Sequence, residues 1–317
     1  MSANNDIHKL SVQIKRDAAH FGFDACGIAQ VKPMDFHIQK LRKWLDGNRH
    51  GDMDYMEKNI HIRSNPALLV DNAKSVIVCL LNYYQPNWPP EAANYKISSY
   101  AIGDDYHHIV KEKLKALLDE IRKHNPAIQA RIFTDSAPVM ERAWAVEAGL
   151  GWIGNNSSLI VPQKGSWFFI GEIITDIELE YDHAFEKDFC GSCRRCIESC
   201  PTKAILSDKT IDATRCISYL TIESKSNIPE ALRKNTCGWI FGCDICQMVC
   251  PWNRFAKPST AFPPNPALIG LDDNSLENLS REDFTNLFPR KKSAVARTGF
   301  DKLMDNISAA KKEMGEN

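Results

Sequence analysis

The spacing of cysteine and proline carries the densest chemistry in this chain. Cys190, Cys193, Cys196 and Cys200 run C-x2-C-x2-C-x3-C into Pro201, and Cys243, Cys246 and Cys250 form a second run into Pro251. Cys216 and Cys237 lie between the two runs. Three cysteines in a tight turn can grip three corners of an iron–sulfur cubane, and the fourth corner must come from elsewhere. In bacterial two-cluster ferredoxins the last cysteine of the run ligates the other cluster. On that pattern one [4Fe-4S] cluster takes Cys190, Cys193, Cys196 and Cys250. The other takes Cys200, Cys243, Cys246 and either Cys216 or Cys237. Proline closes each loop because it cannot continue an incoming hydrogen-bonded turn. Zinc would favour paired C-x2-C knuckles over interlocked triplets, and disulfides suit small secreted chains.

A single carboxylate stands out beside the cysteines. Asp135, in Thr134-Asp135-Ser136-Ala137-Pro138, falls where a strand is expected to end and a helix to begin. Such an Asp can cap the helix, which would stabilise its anion and oppose a role as an acid. Burial would push the other way. Gly149-Leu-Gly151-Trp-Ile-Gly154 matches G-x-G-x-x-G, but it follows a predicted helix instead of a strand, so Gly149 reads as a helix stop and not as a dinucleotide loop. Three D-x-H triplets lack the following x-x-Gly of a cobalamin switch motif, and no radical-SAM C-x3-C-x2-C run is present.

Mixed strands and helices must position these groups. Ile7, Leu10, Ile14, Ala18 and Phe21 share a helical face that stops at Gly22. A strand is expected over Phe23–Ala29, a helix over Phe36–Leu45, and a buried strand over Val76–Leu81. A Pro- and Asn-rich loop spans Tyr83–Tyr95, and Ile109 to Ile121 reads as a helix. Ile128–Thr134 alternates like a strand, Pro138 suits the first turn of a helix running to about Ala148, and Leu159–Val161 with Trp167–Thr175 reads as a hairpin around Gly165. The fold class is therefore α/β or α+β over residues 1–181, followed by a loop-rich cysteine unit over 182–257. A Pro-rich connector and a helical segment fill 258–317.

Composition narrows the setting. The 317 residues are 44% hydrophobic and 25% charged, ordinary for a globular chain with a real core. No apolar leader opens the chain and no apolar run could span a bilayer, so a cytoplasmic, membrane-free protein is expected. Eleven cysteines in that compartment point to metal ligation, with Cys26 and Cys79 as small core residues. A net charge of −1 gives no global attraction to nucleic acid. Local contacts to RNA phosphates could come from Arg42, Lys43, Arg49, Arg290, Lys291, Lys292 and Arg297.

HGDMDYM (from His50), GDDYHHIV (from Gly103), DSAPVMERAWAVEAGLGWIG (from Asp135), GSWFFIGEI (from Gly165), RCISYLTIE (from Arg215) and GCDICQMVCPWNRF (from Gly242), with the first cysteine run, resemble the epoxyqueuosine reductase family over nearly all of residues 5–256. The resemblance implies a cobalamin-binding α/β domain joined to a ferredoxin-like module with two [4Fe-4S] clusters, akin to reductive dehalogenases. It selects Cys216 over Cys237 and makes Asp135 the proton donor. It puts Arg63, Ser98, Asp135, Leu159, Ile170, Ile217 and Asp244 against cobalamin. The implied reaction is the last step of queuosine biosynthesis, reduction of epoxyqueuosine at the wobble position of a GUN-anticodon tRNA. Its electrons would come from a low-potential donor such as flavodoxin or ferredoxin, and the enzyme is expected to be monomeric. A dehalogenase acting on a small organohalide, or a plain electron-transfer module, are the rival readings.

Overall fold

The structure, a computed structural model, describes residues 2–90 and 93–315. Residues 91 and 92, within the expected loop, lie outside it. The strands are β1 (Ala25–Gln30), β2 (Ser75–Asn82), β3 (Lys96–Ile97), β4 (Ala130–Phe133), β5 (Trp152–Ile153), β6 (Leu159–Ile160), β7 (Phe168–Thr175) and β8 (Trp239–Phe241). The helices that matter here are α1 (Ser2–His20), α2 (Asp35–Asp46), α3 (Tyr106–His124), α4 (Glu141–Glu147), α5 (Arg195–Glu198), α6 (Ile217–Ile222), α7 (Ile245–Met248) and α8 (Phe300–Gly315).

Every residue of β2 is buried, because this strand is covered on both faces. Side chains alternate across a strand. Ile77, Cys79 and Leu81 accordingly join α1 and α3 through Ile14, Ala18, Val110, Leu114 and Leu117. Val76, Val78 and Leu80 meet α4 through Ala143, Trp144 and Ala145 on the other face. Four strands lie in the order β1-β2-β7-β4. All neighbours run antiparallel, with Ile28 opposite Ile77 and Ile77 opposite Ile173. Cys26 and Cys79 sit as a cross-strand pair, Sγ to Sγ 3.8 Å, inside this core.

The remaining chain closes over a two-stranded parallel pairing of β3 with β8. Ile97, Ala101, Ile240 and Phe241 form a third core with Leu268, Phe284, Phe288, Leu303 and Ile307. Asn306 of α8 donates its side-chain amide to the carbonyls of Thr221 and Ile240, both at 2.9 Å. The C-terminal segment therefore shares a core with residues from the first 181 and from the cysteine region. Among the described residues no helix is long and apolar enough to cross a membrane.

Two local expectations change. The helix after Asp135 starts at Glu141, with Met140 at its N-cap, so Pro138 precedes it instead of opening it. The hairpin around Gly165 reduces to a bridge between Val161 and Gly165: β6 pairs with β5, while β7 joins the large sheet. Short apolar strands look alike in sequence, and partner choice is decided by which sheet edge is open. Gly149 does end α4, at φ +73°, with its N–H on the Val146 carbonyl, and the chain then enters β5.

Gly27 marks the tightest contact between α4 and the sheet: a Cβ there would lie 2.2 Å from the Ala148 carbonyl oxygen. Gly27→Ala should therefore destabilise the fold by about 1–3 kcal/mol through overpacking. A denaturant midpoint equal to that of the parent protein would contradict this packing.

Candidate functional site

Asp135 occupies the left-handed region at φ +50°, which non-glycine residues adopt rarely and Asp more readily than most. This turn sends its backbone N–H to the Glu141 carboxylate and its side chain into a concavity. Tyr106 donates its hydroxyl to Asp135 Oδ2 at 2.6 Å, and His107 Nε2 stands 3.6 Å from the same oxygen. The His107 ring is held from behind by Asp105, Nδ1 to Oδ1 at 2.7 Å. Asp105 is also the N-cap of α3, accepting the His107 N–H at 3.0 Å. One capping residue thus starts the helix and orients the imidazole. Tyr106 is fixed by parallel stacking on Phe169, centroids 4.1 Å apart.

Electrostatics follow from this arrangement. Its hydrogen bond to Asp105, then the nearby Asp135 carboxylate, raises His107 to about 9, so the ring is charged at neutral pH. For Asp135, enclosure in the concavity favours the neutral acid, but His107 and Tyr106 together outweigh it and hold the carboxyl below its ordinary range. Its side chain still keeps 48% of its surface open to the cavity. The helix plays no part in this shift, since Asp135 does not cap it. Glu141 is pushed up to about 7, first by burial and then by the neighbouring Asp135 charge.

The concavity has a volume of about 760 Å³, within the range of cofactor sites. Segments distant in sequence wall it: Met53, Tyr55 and Met56; Asp105, Tyr106 and His107; Asp135 and Arg142; Cys216, Ser218, Tyr219, Ile222 and Glu223; and Arg290 and Arg297. Tyr219 ties two of these walls together, receiving the Asp52 N–H at 2.7 Å and donating its hydroxyl to the Asp52 carboxylate at 2.8 Å. Gly51 permits this contact, because a Cβ there would lie 2.3 Å from the Tyr219 hydroxyl.

The cysteines fall into two neighbouring groups. Cys190, Cys193, Cys196 and Cys250 line one cavity of about 270 Å³. Cys200, Cys216, Cys243 and Cys246 lie close enough for their charges to act on one another, and Cys246 also feels Cys196 of the first group. Cys196 on α5 and Cys246 on α7 bring the groups together, as those helices pack. Cys237 stands apart on an exposed turn, with its Sγ 3.7 Å from the Asn235 carbonyl. None of the eleven cysteines is in a disulfide. Burial raises the thiols, Cys196 to about 11 and Cys216, Cys243 and Cys246 upward as well. Thiols this dry ionise only against a strong positive charge.

The other expected contacts scatter around the concavity. Of Arg63, Ser98, Asp135, Leu159, Ile170, Ile217 and Asp244, only Asp135 lines it. Arg63 reaches it through the Tyr55 carbonyl, 3.4 Å from Nη2. Ser98 and Asp244 are buried and hydrogen-bond each other, with the Ser99 N–H also on Asp244 at 2.7 Å. Leu159, Ile170 and Ile217 are buried in strands and at the start of α6. Of the basic candidates, Arg290 and Arg297 reach the cavity, Arg297 paired there with Glu223 at 2.5 Å, whereas Arg49 is engaged by Asp208 at 3.2 Å. Sequence reasoning missed Tyr106, His107 and Glu141 as partners of Asp135. The signal available was the GDDYHHIV stretch itself, whose capping Asp105 is legible before any fold is known.

A model of the 4Fe-4S double cluster binding domain matches residues 189–253, and a model described as epoxyqueuosine reductase QueG, DUF1730, matches residues 63–136. The chain is 45% identical to the epoxyqueuosine reductase of Cyclobacterium marinum, over 97% of this chain and 98% of that protein. It is 48% identical to that of Leadbetterella byssophila, over 96% and 99%. The fold matches the epoxyqueuosine reductase of Streptococcus thermophilus with a TM-score of 0.84 and 29% identity, covering 96% of this chain and 81% of that one. An epoxyqueuosine reductase solved with an epoxyqueuosine-modified tRNA-Tyr stem loop matches with a TM-score of 0.85 and 27% identity, over 95% and 80%. A reductive dehalogenase shares the fold more distantly, at a TM-score of 0.50 and 17% identity over 80% of this chain and 33% of the other. The site is that of an oxidoreductase built on a double-cluster ferredoxin domain. The chain belongs to the epoxyqueuosine reductase family.

His107 provides a test of the site's electrostatics. Its folded-state value, about 9, lies above the ordinary 6.5, so the pairing stabilises the fold fully below about 6.5 and is lost as pH rises through about 9. Denaturant unfolding of the parent should weaken across that window, and His107→Gln should flatten the decline. A parallel decline in both proteins would show that His107 is not charged in the fold.

Proposed function

We propose that the chain reduces epoxyqueuosine to queuosine at the wobble position of GUN-anticodon tRNAs, the final step of queuosine biosynthesis, with cobalamin in the large cavity and two [4Fe-4S] clusters. The observation that carries this reading is convergence. HGDMDYM, GDDYHHIV, the DSAP stretch and RCISYLTIE wall one concavity, and Cys216 of the second cysteine group opens into it.

The residues fit the cofactors. Two interlocked groups of four thiols, with Cys196, Cys216 and Cys246 raised by burial, suit two cubanes, with Cys190, Cys193, Cys196 and Cys250 holding one and Cys200, Cys216, Cys243 and Cys246 the other. For cobalamin, Arg63 Nε is buried with no hydrogen-bond acceptor among the described residues, a donor suited to an amide oxygen at the rim of the macrocycle. Arg63 and Asp135 would hold its edge, and Ser98, Leu159, Ile170, Ile217 and Asp244 would shape and stiffen the wall behind them. Bound there, cobalamin supplies a low-valent cobalt and the clusters supply single electrons at low potential, chemistry that no side chain possesses.

Protons are the contribution of the chain itself. Opening an epoxide to an alkene and water consumes two electrons and two protons. Asp135, open to the cavity, delivers a proton to the leaving oxygen. Its carboxyl is ionised at neutral pH, so the proton must be replenished, and His107 holds one 3.6 Å away. Asp105 keeps the ring charged and aimed, and Tyr106, made a far weaker acid than an ordinary tyrosine by burial, stays a donor and steadies the carboxylate. Arg290 at the cavity wall is suited to the phosphates of a tRNA loop whose modified base has left its stack, whereas Arg297 is held by Glu223. The enzyme works as a monomer and draws its electrons from a low-potential carrier.

Asp135→Asn should retain the cluster and corrinoid spectra while turnover of epoxyqueuosine-containing tRNA falls by roughly 10²–10⁴-fold, the usual worth of a general acid. Full turnover in that variant would remove Asp135 from the chemistry. Cys250→Ser should lose about half of the iron taken up on anaerobic reconstitution, one cluster of two. Iron content unchanged in this variant would break the assignment of Cys250.

A further inference from the structure

We propose that the surface over Cys190, Cys193, Cys196 and Cys250 is the docking face for a small acidic flavin-bearing electron carrier, seated by Arg195 and Arg254. The proposal rests on the reading that these cysteines hold a cluster. This group faces outward, whereas Cys216 of the other group lines the substrate-side cavity. Electrons must then enter at the outward group.

The cavity at the outward group is lined by Phe189, Trp252 and Pro251 beside the cysteines. Arg195 and Arg254 are its charged lining side chains, with no carboxylate among them. Both arginines are exposed, and among the described residues neither is ion-paired, unlike Arg194, which pairs with Glu198 at 3.6 Å. Arg254 is steadied over the Phe255 ring at 4.5 Å. Phe189 in this lining leaves 45% of its surface open, one of the few large apolar side chains so exposed. An apolar centre with a basic rim matches a transient electron-transfer interface, small in area and steered by charge.

The concavity argues for a flavin. An isoalloxazine edge is flat, apolar and projecting, and it can enter an aromatic-walled recess of about 270 Å³, whereas an iron–sulfur carrier keeps its cluster behind its own loop. In each encounter a flavin hydroquinone gives up one electron and a proton and becomes the semiquinone, while the receiving cluster gains that electron. Two encounters match the two electrons of one epoxide reduction.

The test uses anaerobically reconstituted protein and an FMN-containing flavodoxin. Affinity and the stopped-flow rate of cluster reduction are compared for the parent, R195E/R254E and R195K/R254K across a salt series. The charge reversal should weaken binding and slow reduction by about tenfold or more at low salt, a gap that closes as salt rises. The lysine pair should stay near the parent, and iron content and the rate with dithionite should be unchanged in all three. Equal flavodoxin kinetics in parent and charge reversal, or equal slowing with dithionite, would overturn the docking face. So would a loss seen only with a [2Fe-2S] ferredoxin. Parent protein that takes up no iron would instead overturn the cofactor reading beneath it.

Discussion

Gathering thiols out of water is the constraint around which this molecule is arranged. A buried thiolate without a countercharge is costly, and burial accordingly pushes the Cys196, Cys216, Cys243 and Cys246 thiols up. The surrounding backbone is loops and single-turn helices. The cores described above supply the rigidity that this region lacks. The pairing of β3 with β8 and the contacts of Asn306 fasten the cysteine region to both neighbouring segments.

The second feature is how a carboxyl at the cavity wall is kept beside a charged ring. A buried acid raised by desolvation alone would be one solution. This fold uses another: an ionised Asp135 next to a charged His107, with Asp105 behind it. The left-handed backbone at Asp135 is part of the device. It turns the carboxylate toward the cavity while Glu141 satisfies the N–H left behind. Strained residues persist where the surroundings over-determine them, and here a strand, a helix start and a stacked tyrosine do so.

Some features were readable from local pattern because one local force dominated. The unbroken apolar run of Val76 to Leu81 announces a strand packed on both sides, and Ile14 with Ala18 announces a buried helical face. Cysteine spacing announces clusters because few other structures need triplets of that kind. Where two local readings had similar energy, sequence alone chose badly. Pro138 is as acceptable in an extended approach as in a first helical turn, and β6 could have paired with β7 as easily as with β5. Asp135 had the composition of a helix cap, and only the position of Met140 and the donors from α3 show otherwise.

By itself the amino-acid sequence determined the chemistry available: two cysteine runs, a carboxylate after a strand, a capped helix beginning Asp105-Tyr106-His107, and the family to which these belong. Only tertiary structure decided which thiols meet, that Cys216 and not Cys237 stands with Cys200 and Cys243, and that His107 carries the proton Asp135 lacks. The reason is physical. Spacing and type are local properties of the chain, whereas acidity and ligation depend on distances between residues far apart in sequence, set when apolar faces pack.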